Sequence, residues 1–265
     1  MKNLAIVTGA SSGLGYKFVE AFDNGVGGPL DEIWVIARRE EHLKNLAQRC
    51  KTPVRVFALD LREEASFDII QEALAEDEEV VNVQWLVNNA GFGKFGDFSQ
   101  HLEEQNVDMV KLNCLAVLQM CYHCSMYMHA GSRIINMSSV AAFLPQPQLS
   151  IYSACKRFVL DFSRSLDFEL ASVGIRVCAV CPKFMHTEFL NEPGNAEEVI
   201  RKTCLIGFED AGRVVRKAIH AAILGKTCCI PSYDMKALNL GCKILPVRWV
   251  MKGQEMLSDI LDPRQ

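Results

Sequence analysis

The stretch Leu4-Ala-Ile-Val-Thr-Gly-Ala-Ser-Ser-Gly-Leu-Gly15 decides the architecture. A short apolar run, Leu4 to Val7, reads as a strand, and a helical pattern, Leu14 to Phe22, begins inside the glycine-rich turn that follows it. Gly9, Gly13 and Gly15 permit a tight turn, close approach of the backbone to a ligand and close packing of helix on sheet, with Ser11, Ser12 and Leu14 between them. The helix N-terminus adds unpaired N–H groups and a partial positive charge, so the turn suits the pyrophosphate of a dinucleotide. Two other glycine motifs fit less well. Gly9-Ala-Ser-Ser-Gly13 has the letters of a nucleophile elbow, but that turn follows earlier strands that complete its oxyanion hole, and here one strand precedes it. A phosphate-binding P-loop ends in Gly-Lys-Ser/Thr, whereas Gly15 is followed by Tyr16 and Lys17.

Outward from this turn, strands and helices alternate. Residues 32–37, 54–58, 85–87, 133–137, 175–180 and 227–230 read as six further strands, and 40–50, 64–76, 100–128, 152–173 and 209–224 as helices. Strands apolar on both faces need helices on both faces, which predicts an α/β fold: a doubly wound parallel sheet of seven strands. The glycine-rich segment Asn24 to Pro29 is a helix-to-strand turn rather than a linker, and the 265 residues read as a single Rossmann-type domain.

Composition narrows the function classes. Hydrophobic residues make up 49% and charged residues 23%, with a net charge of −4. No global positive field exists to hold a nucleic acid. No apolar stretch reaches the ~18 residues of a membrane span, and the N-terminus turns polar too soon for a signal peptide. Eleven cysteines, an odd number in a chain too long for a disulfide scaffold, imply reduced thiols and a cytoplasmic location.

Tyr152 and Lys156, in Tyr-Ser-Ala-Cys-Lys, share one face at the start of a helix. A neighbouring ammonium stabilises a phenolate, so the pair predicts a tyrosine whose pKa is lowered toward neutrality, a usable acid/base. Ser138 and Ser139 end the strand 133–137, at the carboxyl edge where open parallel sheets bind ligands. Alone, the tyrosine-lysine spacing also describes a solvated helix face; together these features are specific.

The glycine turn, Asn88-Asn-Ala-Gly91, Ser139 and Tyr152-Ser-Ala-Cys-Lys156 resemble, in order and spacing, the short-chain dehydrogenase/reductase family. The likeness covers Leu4 to about Ile230, and the serine-to-tyrosine interval of thirteen positions selects Ser139 over Ser138. It implies that Tyr152 is the general acid/base on the substrate oxygen, that Ser139 hydrogen-bonds that oxygen, and that Lys156 holds the nicotinamide ribose. Asn113 resembles the fourth catalytic member, which kinks its helix and anchors a water leading to the lysine. Asn89, Ala90 and Gly91 would line the adenine-ribose side of the cofactor, and Asp60 with Leu61 the adenine; Asp60 also suits a cap for a helix over 62–76.

The end of the second strand selects between NAD and NADP(H). A carboxylate there would accept bonds from the ribose hydroxyls and repel a 2′-phosphate; this chain has Ala37-Arg38-Arg39. NADP(H) is favoured, with Arg38 as the phosphate contact and Arg39 as a solvated partner of Glu40 or Glu41.

On the substrate side, Cys181 to Thr187 resembles the family turn leading to a threonine on the nicotinamide amide, with Lys183 where the family has glycine. A positive φ at Lys183 would be strained, so either strain or a different turn is expected. Phe184, Met185, Phe189 and Leu190 of a lid over about 184–207, with Phe143 and Leu144, suggest an apolar pocket for a lipophilic carbonyl or alcohol, or else simple mutual packing. His186 in the lid has a structural reading and a substrate-facing one. Cys121 to Cys124 and Cys178 to Cys181 lack a second ligand pair at zinc-like spacing, so no metal is expected. In the tail after about 235, Lys236, Lys243, Arg248 and Lys252 alternate with apolar residues; Pro246 interrupts them, favouring subunit or lid packing over peripheral membrane contact.

The expected protein is an NADP(H)-dependent carbonyl reductase or alcohol dehydrogenase, and the resemblance implies a homodimer or homotetramer through helices 100–128 and 152–173. The competing class is a dinucleotide-binding regulator without turnover.

Overall fold

The computed structural model describes residues 1–77, 80–185 and 207–260, without the side chains of 254–260. Seven parallel strands form one sheet in the order β3-β2-β1-β4-β5-β6-β7. They are β1 (Lys2–Thr8), β2 (Glu32–Ala37), β3 (Val54–Ala58), β4 (Val81–Asn88), β5 (Arg133–Met137), β6 (Arg176–Val180) and β7 (Cys228–Cys229). The α-helices are α1 (Gly13–Asp23), α2 (Glu40–Ala47), α3 (Ala65–Ala75), α4 (Glu103–Val110), α5 (Ala116–Ser125), α6 (Ser150–Leu170), α7 (Ala211–Ile223), α8 (Tyr233–Ile244) and α9 (Val247–Ile260). None of the described helices is long and apolar enough to cross a membrane.

Period-two alternation sorts the core onto two faces. Ala5, Val7, Ile33, Val35, Val87 and Ile135 pack under α1, α2 and α7. Their neighbours Leu4, Ile6, Trp34, Ile36, Leu86 and Ile134 pack under α3, α5 and α6. Both faces are therefore dry, which is why these strands read as nearly continuous apolar runs.

The chain winds outward from β1 to β3, then returns to place β4 on the other side of β1. That reversal opens a crevice at the carboxyl ends of β1 and β4, where ligands of such sheets bind.

One predicted element is different. The helix expected over 100–128 is broken: a 3₁₀ turn at Phe98–Gln100 precedes α4, and a π-helical segment, Lys111–Leu115, joins α4 to α5. Asn113, in the middle of that segment, donates from Nδ2 to the Met109 carbonyl at 2.9 Å and the Phe92 carbonyl at 2.7 Å. A side chain inserted into the helical ladder is a common cause of such irregularity, and π-turns concentrate at functional sites.

Candidate active site

The glycine turn is held from three sides. Gly9 N–H donates to the Ile36 carbonyl of β2 at 2.8 Å. Thr8 Oγ1 accepts from Asn89 N–H at 2.9 Å and Ala90 N–H at 3.0 Å, and Asn89 Nδ2 returns bonds to the carbonyls of Thr8 and Gly9 at 3.1 and 3.2 Å. Asn89 thus spends its side chain on clamping the turn to β4. Gly9 and Gly13 have φ of +65° and +55°, and a Cβ on Gly15 would collide with the Gly9 carbonyl. Ser12 is the N-cap of α1 but makes no side-chain cap bond, so the first N–H groups of α1 have no cap from Ser12. This is a cradle built from backbone, and its chemistry fits a dinucleotide pyrophosphate.

Arg39, expected beside Glu40 or Glu41, sends Nη2 to Ser11 Oγ at 2.8 Å and Ser12 Oγ at 3.0 Å. Lys44 pairs with Glu40 and Glu41. Arg38 lies close enough to Asp60 to help lower its carboxyl pKa. Asp60 is not the cap expected for α3, whose N-cap is Glu64. Its carboxylate is gripped by the Arg62 guanidinium at 2.6 to 3.1 Å, which holds it below the usual carboxylate range, and Arg62 also reaches Asp108. Leu61 is a core residue under the α3 face.

Four elements converge at the other end of the crevice: the end of β5, the π segment, the start of α6 and the loop after β4. Ser138 and Ser139 point apart. Ser138 Oγ donates to the Lys156 carbonyl at 2.7 Å, while Ser139 caps a 3₁₀ turn, accepting from Ala141 N–H at 3.1 Å, and hydrogen-bonds the Tyr152 hydroxyl. Tyr152 and Lys156 share a helix face, with the ammonium 5.4 Å from the ring centroid. Lys156 is buried and donates to the Met137 carbonyl at 2.9 Å. Asn113 is fully buried, and its Oδ1 has no partner. A Cβ on Gly91 would fall 2.5 Å from that oxygen and 3.3 Å from Lys156 Nζ, so the bare glycine leaves an opening onto both. An orphaned acceptor and a buried ammonium facing a shared gap suit a polar ligand or a bridging water.

The electrostatics reverse one expectation. Burial pushes the Tyr152 phenol up to about 12, against the downward pull of the Ser139 bond, instead of leaving it lowered by the ammonium. Burial likewise pushes Lys156 down to about 8. In both cases desolvation disfavours the charged form, the phenolate of Tyr152 and the ammonium of Lys156.

The apolar wall beside Tyr152 comes from Phe95, Leu149, Phe184 and Phe208. Phe143 and Leu144 do not belong to it; they are buried with Leu160, Ala179 and Met235. Gln148, just before α6, is the single non-glycine residue with positive φ among the described residues, at 60°, and its carbonyl accepts from Gly96 N–H at 2.9 Å. Lys183 therefore carries no such strain: its N–H donates to Glu209 at 3.0 Å and its ammonium to Asp234 at 2.7 Å, a different turn from the glycine-bearing one. Thr187, His186, Phe189 and Leu190 lie outside the described residues. Cys121 and Cys124 are buried thiols, and no cluster of metal ligands occurs among the described residues.

Sequence reasoning missed Arg39 as a neighbour of the glycine turn, and Phe95 and Phe208 as walls of the Tyr152 site. Two adjacent arginines carry no signal for which one turns inward. The phenylalanines lie far along the chain from Tyr152 and were distinguishable only by contact.

Comparison with known proteins agrees with the fold. The family model described as short chain dehydrogenase matches residues 3–198. A very-long-chain 3-oxoacyl-CoA reductase of Danio rerio is 29% identical over 258 residues, 91% of this chain and 77% of that protein. Among solved structures, a short-chain dehydrogenase from Sphingobium yanoikuyae in complex with NADPH is 26% identical, with a TM-score of 0.74 over 100% of this chain and 97% of that one. A bulky-bulky ketone specific alcohol dehydrogenase from Comamonas testosteroni is 25% identical, with a TM-score of 0.72 over 100% and 96% of the two chains.

Proposed function

The chain belongs to the short-chain dehydrogenase/reductase family of oxidoreductases, and from that premise we propose an NADP(H)-dependent carbonyl reductase or alcohol dehydrogenase for a lipophilic ketone or secondary alcohol. The observation that carries the reading is the hydrogen-bonded pair of Ser139 and Tyr152, with Lys156 behind it and four apolar side chains beside it.

The cofactor supplies or accepts the hydride. Ser139 orients the substrate oxygen. Tyr152, protonated at neutral pH because burial holds its proton, donates that proton to the oxygen as the carbonyl carbon is reduced, and takes it back in the oxidative direction. Lys156 keeps one N–H on Met137 and offers the others to the gap it shares with Asn113 Oδ1, the place for a ribose hydroxyl or the water of a proton path. The N-terminal turn of α1 and residues Gly9 to Gly15 hold the pyrophosphate, while Asn89 clamps the turn, Ala90 and Gly91 border the crevice, and Asp60 with Leu61 backs the adenine. Thr187 keeps its proposed place on the nicotinamide amide.

NADP(H) preference rests on two guanidiniums and no carboxylate at the end of β2. Arg38 is the primary 2′-phosphate contact, and Arg39, lying on the hydroxyls of Ser11 and Ser12, is a second. The NADPH-bound relative and the ketone-specific one support cofactor and substrate class.

We assign all 265 residues to one catalytic unit with residues 184–207 as its lid. Apolar side chains exposed on α4, α5 and α6, among them Leu118, Tyr122, Phe158 and Phe168, support a homodimer or homotetramer. Free thiols at all ten described cysteines support a cytoplasmic location.

The test follows NADPH absorbance across a panel of ketones and lipid-like 3-oxoacyl compounds, with Tyr152→Phe as control. Turnover that depends on Tyr152 supports the assignment. Tight NADPH binding with no turnover on any compound points instead to a dinucleotide-binding regulator.

A further inference from the structure

The C-terminal tail keeps much of its apolar surface outside. α8 docks on the body of the protein through Met235 and Cys242, seven residues apart on one helix face, which join the buried cluster of Phe143, Leu160 and Ala179. The opposite face should then be polar. Instead Tyr233, Ala237, Leu240 and Ile244, spaced i, i+4, i+7 and i+11, form an apolar stripe turned to solvent, with Tyr233 82%, Leu240 60% and Ile244 73% exposed. Pro246 turns the chain between α8 and α9, and Val250 of α9 packs back on the same cluster. The seven consecutive residues from Lys243 to Trp249 are all exposed, so this corner protrudes and carries Leu245, Val247 and Trp249 outward. A contiguous apolar patch of this kind marks a contact surface.

Its charge selects the partner. Residues 235–253 hold Lys236, Lys243, Arg248 and Lys252 and no acid, a local charge of +4 in a chain of net −4. Lys236 lies 4.7 Å from the Tyr233 ring centroid and Lys217 of α7 lies 5.8 Å from it, so cations flank the start of the stripe. The adjoining acid, Asp234, is taken by the Lys183 ammonium at 2.7 Å. A second copy related by a two-fold axis would set this positive face against itself, a like-charge contact that disfavours pairing. An anionic bilayer surface meets both properties of the patch. Its headgroups take the cations, while its interfacial layer takes the aliphatic side chains and the Trp249 indole.

We infer that α8, the Pro246 corner and the first turn of α9 form a docking face for an anionic phospholipid surface, on which the protein rests without spanning it. The face uses none of the catalytic residues, so it stands or falls apart from the catalytic reading. Attraction by the cations holds the protein near the headgroups, and insertion of Ile244, Leu245, Val247 and Trp249 fixes its orientation.

The test spins the full-length protein down with phosphatidylcholine vesicles, with and without about 30% phosphatidylserine. It should pellet with the anionic vesicles, stay in solution with the neutral ones, and be released at about 0.5 M salt as the charges are screened. Trp34 and Trp85 are buried, which leaves Trp249 as the one exposed tryptophan of three. Its emission should shift to the blue and resist iodide quenching when anionic vesicles are added; Trp249→Phe should remove that change and keep most of the pelleting. Lys243→Gln combined with Arg248→Gln should weaken binding about thirtyfold, from about fivefold per cation near the surface. Both side chains are exposed, so thermal unfolding of that variant should match the parent's. Equal pelleting with neutral vesicles, no pelleting with either kind, or a dimer in vesicle-free solution that Leu240→Glu splits into monomers would overturn the inference, the last by making a second copy the occupant of the face.

Discussion

The two sides of the crevice are built by different means. On the β1–β2 side the ligand cradle is main chain: three glycines, a helix N-terminus and a turn clamped by Thr8 and Asn89. On the β4–β5 side it is side chains, brought from the end of β5, the π segment and α6 to within a few ångströms of one another. Backbone recognition needs space, so the first side is damaged by adding atoms. Side-chain chemistry needs particular functional groups, so the second is damaged by removing them.

The largest effect is expected on the second side. Tyr152→Phe removes one hydroxyl and should lower kcat by about 10²- to 10⁴-fold, the usual worth of a positioned general acid, while an NADPH fluorescence titration changes little. A large loss of NADPH binding in that variant would break the division between the two sides. The reciprocal experiment is Gly15→Ala, which adds one carbon against the Gly9 carbonyl. It should cost about 1–3 kcal/mol in urea denaturation, as overpacking does, and weaken NADPH binding; an unchanged midpoint and affinity would show that the turn yields easily.

Smaller effects sharpen the cofactor side. Arg39→Ala should raise the Kd for NADPH about tenfold and leave NADH unchanged, as expected for one charge-assisted bond of about 1.4 kcal/mol. Arg38→Asp should go further and reverse the preference toward NADH. If both variants discriminate as the parent does, the 2′-phosphate is read elsewhere.

The last prediction concerns pH. Lys156 has its folded pKa depressed to about 8 from the ordinary 10.5. The carbonyl-reduction rate should therefore fall above pH 8, by up to about tenfold per unit. Tyr152, held near 12, contributes no limb in that range. Between pH 8 and 10.5 the unfolded chain binds more protons at this lysine than the folded one, so its contribution to stability rises with pH. Lys156→Met should abolish both trends; a retained alkaline limb would assign the titration to another group.

Legibility in the sequence follows the range of the interactions. The seven strands were readable because burial on both faces leaves runs of apolar letters, and β2, β3 and β5 begin and end where the runs do. The glycine turn and the tyrosine-lysine pair were readable because their geometry is set within eight residues. The kink at Asn113 was implied by the resemblance and not by any local pattern in 100–128, because it is tied to a bond from Asn113 to Phe92, twenty-one residues away. The bonds from Arg39 to Ser11 and Ser12 were not legible, because Arg38 and Arg39 are both exposed at the end of a strand and only the fold brings the two serines across the turn to Arg39.

The sequence by itself determined the parallel α/β sheet, the place of the ligand crevice and the residues able to perform acid/base chemistry, since each is written in a local pattern of apolar period, glycine or i, i+4 spacing. Tertiary structure alone decided which arginine lies on the glycine turn, which phenylalanines wall the Tyr152 site, and that burial raises the phenol while lowering the lysine. Those outcomes depend on contacts and desolvation between segments distant along the chain, and neither is encoded in the neighbourhood of any one residue.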